Sequence, residues 1–489
     1  MIRNPLLIFL KGSIISTAAM VVTGLVTYLT RRYLALHLTE EEFGFFYAAF
    51  AFVSLLGALL DFGVSGATPV IIGKHAVLES GDEKKANYTA ILLLKLFLGL
   101  WGFLIIPAAG WLASWYFRFP YGQDVFVILL VYSIVFSLTN ELLVVAIGFK
   151  DYLGKAVMES IFYSAVLVII LFSLQEYGLK GAAWGYLGSS LIVTLFGGGY
   201  LVYKYRIRIA FDLKLVWKKT VDLAHFSKWM AIATLASTSM GYIDTVMLTY
   251  MKGLEATAIY NIALPIVQIM KSMLFLPLVF IPIATELWHK KELGAISDIC
   301  NAVMMLALAA FWVVVMFMSF FGRYLVSLLF ADKFLAASAP LTILGSGILF
   351  LLIAQFFIAA ISAIERLRAV AYIGISGVVF NIIFNTVLIP FLGIEGAALA
   401  TSLSYFTIFI FAFVVLKRDV PNLRLLYPWT LNIPGSLLAG TAIYLGYQGY
   451  SLSIRILIFL GLIGIFLICN FKAIFFLLRH LIKQLLNEF

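Results

Sequence analysis

Six ionisable side chains lie inside stretches that are otherwise apolar: Asp61, Lys95, Glu141, Glu159, Asp244 and Lys271, with Arg31 at the edge of another. A charge in such a run costs a few kcal/mol to place in lipid, so it faces protein or a watery cavity. Lysine and arginine there can hold an anion; carboxylates can gate a passage or take up a cation. Catalytic signatures are missing by comparison. The five histidines (His37, His75, His225, His289 and His480) fall at helix ends or in loops, without metal-ligand spacing. Gly148 to Lys155 has five residues between its glycines instead of the four of a phosphate-binding loop, and Ala156 stands where that loop needs Ser or Thr. No catalytic residue, no metal site and no cofactor are expected, and the chain reads as no enzyme; Na+ or H+ coupling stays open.

The elements that carry these charges follow from composition. The chain has 489 residues, 63% hydrophobic and 12% charged, with a mean hydropathy of +1.06. A soluble domain of this size needs more surface charge, so an all-α integral membrane protein is expected. Apolar runs of about 20 residues or more, each able to span, give fourteen helices, near 10–33, 43–70, 87–116, 123–148, 155–174, 181–203, 228–250, 256–287, 296–322, 338–363, 369–390, 396–416, 431–448 and 454–478. The first is too long for a signal peptide's apolar core and is taken as a retained span. Cys300 and Cys469 both lie in apolar runs, so no disulfide framework is expected. With the N-terminus in the cytoplasm, 24 of the 34 Lys and Arg fall on the cytoplasmic side and 8 outside. That asymmetry puts both termini in the cytoplasm and accounts for the net charge of +10 without nucleic acid.

The chain is written twice. Gly178-Leu179-Lys180-Gly181-Ala182-Ala183 returns as Gly393-Ile394-Glu395-Gly396-Ala397-Ala398, and Tyr47 and Pro69 return as Tyr260 and Pro282 at nearly the same offset. Helices one to six then match seven to twelve. Six is even, so the repeats are parallel, with a site where they meet. The expected division is an N-terminal lobe, 1–212, a C-terminal lobe, 213–417, and two further helices with a cytoplasmic tail, 418–489. The basic stretch Lys204–Lys228 links the lobes.

Polar stripes mark the first two helices of each copy: Ser13 to Arg31; Ser54, Gly57, Asp61, Ser65 and Thr68; Thr234, Ser237, Gly241 and Asp244; Asn261, Gln268 and Lys271. They suggest one water-accessible cleft, although such stripes also glue helices together. Lys95, about 15 Å from Lys85 along the helix, lies near the midplane. It reads either as a structural partner of Glu141 or as part of the site. Glu159, one turn from Lys155, reads as a solvated helix end. Arg31 and Asp244 occupy equivalent places in the two copies and are expected to pair when the outer mouth closes.

Several phrases add a resemblance. Leu38 to Gly44, Leu60-Asp61-Phe62-Gly63-Val64-Ser65, Ala258-Ile259-Tyr260-Asn261-Ile262-Ala263 and Ile281-Pro282 resemble segments of the polysaccharide flippases in the superfamily of multidrug, oligosaccharidyl-lipid and polysaccharide exporters. Ala258 stands where glycine is usual. The resemblance implies a V-shaped pair of six-helix bundles that moves a polyprenyl-(pyro)phosphate-linked oligosaccharide across the cytoplasmic membrane by alternating access. It implies a multi-pass protein of a prokaryotic cell membrane. The partners implied are lipid-linked oligosaccharide, membrane lipids and other membrane proteins of polysaccharide assembly. Arg31, Lys95 and Lys271 would hold the phosphates, Asn261 and Gln268 the sugars, and Asp61, Asp244 and Glu141 would serve gating or ion coupling. The alternatives are a cation-coupled multidrug exporter or lipid II flippase of the same superfamily, and a membrane glycan polymerase or ligase, which would need larger outer loops.

Overall fold

Thr39 and Glu42 decide where the second long helix begins. The Thr39 amide donates to Glu42 Oε2 (2.9 Å) and the Glu42 amide to Thr39 Oγ1 (3.2 Å), a capping box that satisfies two amides at the helix start. A computed structural model describes residues 5–74, 81–271, 276–420, 422–425, 429–446, 448 and 450–487. These residues are helical apart from turns and short connections, with no strand among them. In chain order the helices are α1 Pro5–His37, α2 Glu40–Asp61, α3 Val64–Lys74, α4 Gly81–Phe103, α5 Ala109–Trp115, α6 Gln123–Gly148, α7 Tyr152–Tyr177, α8 Leu179–Tyr205 and α9 Leu213–Lys252. They continue as α10 Leu254–Lys271, α11 Leu276–His289, α12 Leu293–Leu329, α13 Ser338–Ala363, α14 Leu367–Lys417, α15 Trp429–Gly446 and α16 Leu452–Asn487. Nine helical stretches among the described residues are long and apolar enough to cross a membrane. One of them, α14, carries both spans expected at 369–390 and 396–416.

The helices pack as two compact units, Met1–Asn261 and Ile262–Phe489. In the first, α1 packs on α7, α6 and α7 on α8, and α9 along α2, α3 and α4. In the second, α13 lies against α11, α12 and α14, while α15 and α16 cover α12. The sequence repeat begins again at α9, but α9 packs within the first unit.

The repeated glycine phrases have the same backbone in both copies. Gly178 and Gly393 take φ values of 54° and 58°, open to glycine and strained for other residues. Three residues on, a methyl on Gly181 would lie 2.3 Å from the Ser173 carbonyl oxygen, and one on Gly396 2.3 Å from that of Leu388. Each phrase therefore makes a tight turn and then lets the next helix press on the last turn of the previous one.

The helix expected at 43–70 is broken. Phe62 (φ 46°) and Gly63 (φ 72°) end α2 after Asp61 and redirect the chain into α3. Gly63 also meets α9, where an added Cβ would come within 2.2 Å of the Ala231 amide nitrogen and 2.4 Å of the Ser227 carbonyl oxygen. Gly63→Ala is therefore expected to lose at least about 2 kcal/mol, since left-handed strain and a backbone clash act together. Gly57→Ala, within α2, where a Cβ meets nothing within 4 Å, is the control and should be neutral or stabilising. Thermal unfolding of the two variants in detergent checks the contrast.

Candidate functional site

The break after Asp61 brings three charges together. Lys95 of α4 is buried (2% exposed) between Asp61 at the end of α2 and Glu141 of α6. Its ammonium donates to Asp61 Oδ1, to Ser65 Oγ (2.9 Å) and to Ser137 Oγ (3.4 Å), and lies 3.2 Å from Glu141 Oε2. Ser65, in the first turn of α3, donates to Asp61 Oδ1 (2.6 Å), and Asn140 Nδ2 donates to Ser65 Oγ (3.0 Å). Thr68 donates to Glu141 Oε1. Among the described residues Asp61 Oδ2 is buried without a hydrogen-bond partner. One lysine thus faces two carboxylates. With both ionised, the cluster holds a buried excess of one negative charge, a costly state that one proton or one bound monocation relieves.

Asp61 and Ser65 also line a cavity of about 290 Å³ inside the first unit. Its wall combines hydroxyl and amide groups (Ser54, Ser133, Ser137, Asn140, Thr234 and Thr238) with the rings of Phe50, Tyr132, Phe136, Phe162, Tyr163, Tyr186 and Tyr242. Of the stripe expected there, Ser54, Gly57 and Asp61 of α2 and Ser65 of α3 face this cavity, whereas Thr68 turns to Glu141. On α9 the lining face is turned from the expected stripe: Thr234 is shared, but Thr238 and Tyr242 line the cavity in place of Ser237, Gly241 and Asp244. The α6 wall was not singled out from sequence. Its signal is there, because Tyr132, Ser133, Phe136, Ser137, Asn140 and Glu141 recur at i, i+1, i+4, i+5, i+8 and i+9.

The other expected site residues lie elsewhere. Arg31 sits over the ring of Tyr47 (4.1 Å to its centre) and donates to the Asn261 carbonyl oxygen (2.9 Å). Its Nε is buried without a partner among the described residues. Asp244 is buried and accepts from the Tyr260 hydroxyl (2.9 Å). Arg31 and Tyr47 are thus related to each other as Asp244 and Tyr260 are: each charge precedes its tyrosine by sixteen positions and touches it, and the repeat has exchanged one sign for the other. The Asn261 amide donates to the Thr257 carbonyl (2.9 Å) and to Thr245 Oγ1 (3.3 Å), holding α10 to α9. Gln268 is exposed. The side chain of Lys271 lies outside the described residues. Glu159 accepts from Lys155 (2.7 Å), the helix-end pair expected for it.

Comparison with known proteins places this architecture. The chain is similar to an uncharacterized membrane protein of Methanocaldococcus jannaschii, 27% identical over 426 residues that cover 83% of this chain and 84% of that one. Its fold is similar to the lipid II flippase MurJ in an inward closed conformation (TM-score 0.66, 14% identity, 94% of this chain and all of that one). It is also similar to an inward-facing multidrug resistance MATE family transporter of the MOP superfamily (TM-score 0.64, 17% identity, 82% and 94%). A MOP superfamily transporter from Pyrococcus furiosus gives a TM-score of 0.60 at 16% identity, covering 85% of this chain and 95% of that one. The polysaccharide biosynthesis protein family matches residues 9–288, more than half of the chain. On a multi-pass membrane transporter fold, the chain therefore belongs to the polysaccharide biosynthesis protein family.

Proposed function

We propose that the protein moves a polyprenyl-(pyro)phosphate-linked oligosaccharide across the cytoplasmic membrane by alternating access, for synthesis of a cell-surface polysaccharide. The observation that carries this reading is the cavity of the first unit, which joins aromatic rings to hydroxyl and amide groups. A sugar ring has apolar C–H faces and a polar rim. Rings such as Tyr242 and Tyr186 suit the faces, and Ser137, Asn140, Thr234 and Thr238 can exchange hydrogen bonds with the rim. Lys95 is engaged by two carboxylates that compete with any phosphate for it, so the phosphates fall to Arg31 and Lys271. Asn261 and Gln268 would border the sugars beyond the cavity, and the polyprenyl chain would remain in lipid. The two lobes, 1–212 and 213–417, would rock about their common axis, with Arg31 and Asp244 closing the outer mouth.

The excess negative charge of the Asp61–Lys95–Glu141 cluster supports coupling to one H+ or Na+. It is also the feature a cation-coupled drug exporter would use, and transport itself separates the two readings. Proteoliposomes containing the protein should move a fluorescent lipid-linked oligosaccharide between leaflets and leave cationic dyes where they are. Dye transport without glycan movement would reject the flippase reading. Within that assay Tyr242→Ala is expected to slow glycan movement about 3- to 10-fold, the worth of one aromatic contact. Tyr242→Phe should retain most of the rate, and both variants should unfold near the parent temperature, because Tyr242 is only half-buried.

A further inference from the structure

Helix α9 is longer than a membrane is thick. Its 40 residues extend about 60 Å, against a hydrocarbon core of about 30 Å. The half that must lie outside the core is its N-terminal one, which carries Lys214, Lys218, Lys219, Asp222, His225 and Lys228. This half nevertheless exposes large apolar side chains. Leu213 is 79% exposed and Trp217 71%, and Phe211, just before the helix, 92%.

The exposed groups follow a pattern around the helix. Val216, Leu223 and Ser227 form its buried face, and Leu223 packs into a core cluster with Val64, Ala67, Ile91 and Leu94. The Ala210 amide donates to Thr89 Oγ1 (2.8 Å), and Lys219 lies 3.6 Å from Glu83, so the segment is tied to α4 along that side. About a quarter-turn away, Leu213, Trp217 and Val221 form an exposed apolar stripe at i, i+4 and i+8. Lys214 and Lys218 stand immediately beyond that stripe, and Asp222 continues their row one turn past Lys218 without an ion pair to it among the described residues. Arg206 and Arg208 extend the basic row into the connection from α8. Among the described residues none of these four cations is held by a carboxylate.

A segment fixed on one face, apolar on the next and cationic beyond that has the order of a bilayer surface: protein, acyl boundary, headgroup. We propose that residues 204–228 form a docking surface for anionic phospholipid headgroups. The Leu213–Trp217–Val221 stripe dips into the acyl boundary, and Arg206, Arg208, Lys214 and Lys218 bind headgroup phosphates that carry a net negative charge. Zwitterionic lipid can fill the apolar stripe but leaves the cations unbalanced, so the preference is for charge. This inference stands on the linker alone and not on what the protein transports.

The test is native mass spectrometry of the purified full-length protein with phosphatidylglycerol or phosphatidylcholine added in detergent. Phosphatidylglycerol should be retained in preference, and rising salt should weaken that preference. Lys214→Gln/Lys218→Gln should reduce it about 30-fold, and Lys214→Arg/Lys218→Arg should keep it. Lys290→Gln/Lys291→Gln, at another basic turn, should leave it unchanged. Inorganic phosphate should not displace the lipid, because it lacks the acyl part. Equal retention of both lipids, a preference indifferent to the Lys214 and Lys218 charges, displacement by inorganic phosphate, or occupation of this surface by a co-purifying protein in place of lipid would each overturn the proposal.

Discussion

Lys95→Met is expected to destabilise the protein by about 3–5 kcal/mol, the cost of removing one partner from a buried ion cluster. The reason is the set of groups left behind. Asp61 and Glu141 are 7% and 6% exposed, and without the ammonium two carboxylates would face each other across Ser65. Ser65, Thr68 and Asn140 can donate hydrogen bonds to this group but bring no positive charge. The comparison that identifies the cause is a set of combined variants. Lys95→Met/Asp61→Asn should recover part of the loss, and adding Glu141→Gln should recover most of it, because the uncompensated charge is then gone. Thermal unfolding in detergent gives the ranking. Simple additivity of the three substitutions would show that Lys95 acts through packing and not through its charge.

The parts legible in the sequence were those written in periodicity and repetition. Composition alone required a helical membrane protein, and the phrases beginning at Gly178 and Gly393 announced two copies whose backbones share the same turn. Pairing of Lys95 with Glu141 was legible because both are isolated charges at similar depth. That Asp61 joins them was not, since the approach depends on the left-handed turn at Phe62 and Gly63, which ends α2 at that carboxylate. Sequence spacing assumes an unbroken helix and places Asp61 on a stripe, not at a helix end. The cavity was half legible for a related reason. Its α2 wall carries the polar stripe Ser54, Gly57 and Asp61, whereas Phe162 and Tyr163 of α7 and Tyr186 of α8, and the Tyr132 and Phe136 interleaved with the polar residues of α6, look at helical spacing the same as core. Arg31 and Asp244 are equivalent positions by the repeat offset, but their tyrosine partners come from packing between helices, which no local pattern records.

Asp61→Asn is expected to uncouple transport while leaving the fold in place. The substitution leaves Lys95 and Glu141 as a one-to-one pair, so the cluster no longer needs an added positive charge. The asparagine carbonyl can still accept from Lys95 and Ser65, and the atom replaced by the amide is Oδ2, which has no hydrogen-bond partner among the described residues. The stability change should therefore be well below that of Lys95→Met. The functional change should be large. In proteoliposomes the parent protein is expected to accumulate substrate on one leaflet when a proton or sodium gradient is imposed, and Asp61→Asn should only equilibrate it at a rate indifferent to the gradient. Glu141→Gln restores the same charge balance but disturbs the acceptor of Thr68, so it should lose coupling and some stability together. The two variants distinguish the roles of the carboxylates: if charge balance is what the coupling ion supplies, both abolish the gradient response and only Glu141→Gln lowers the unfolding temperature appreciably. Undiminished gradient-driven accumulation by Asp61→Asn would move the coupling ion away from this cluster, leaving Asp244 as the buried carboxylate to examine next.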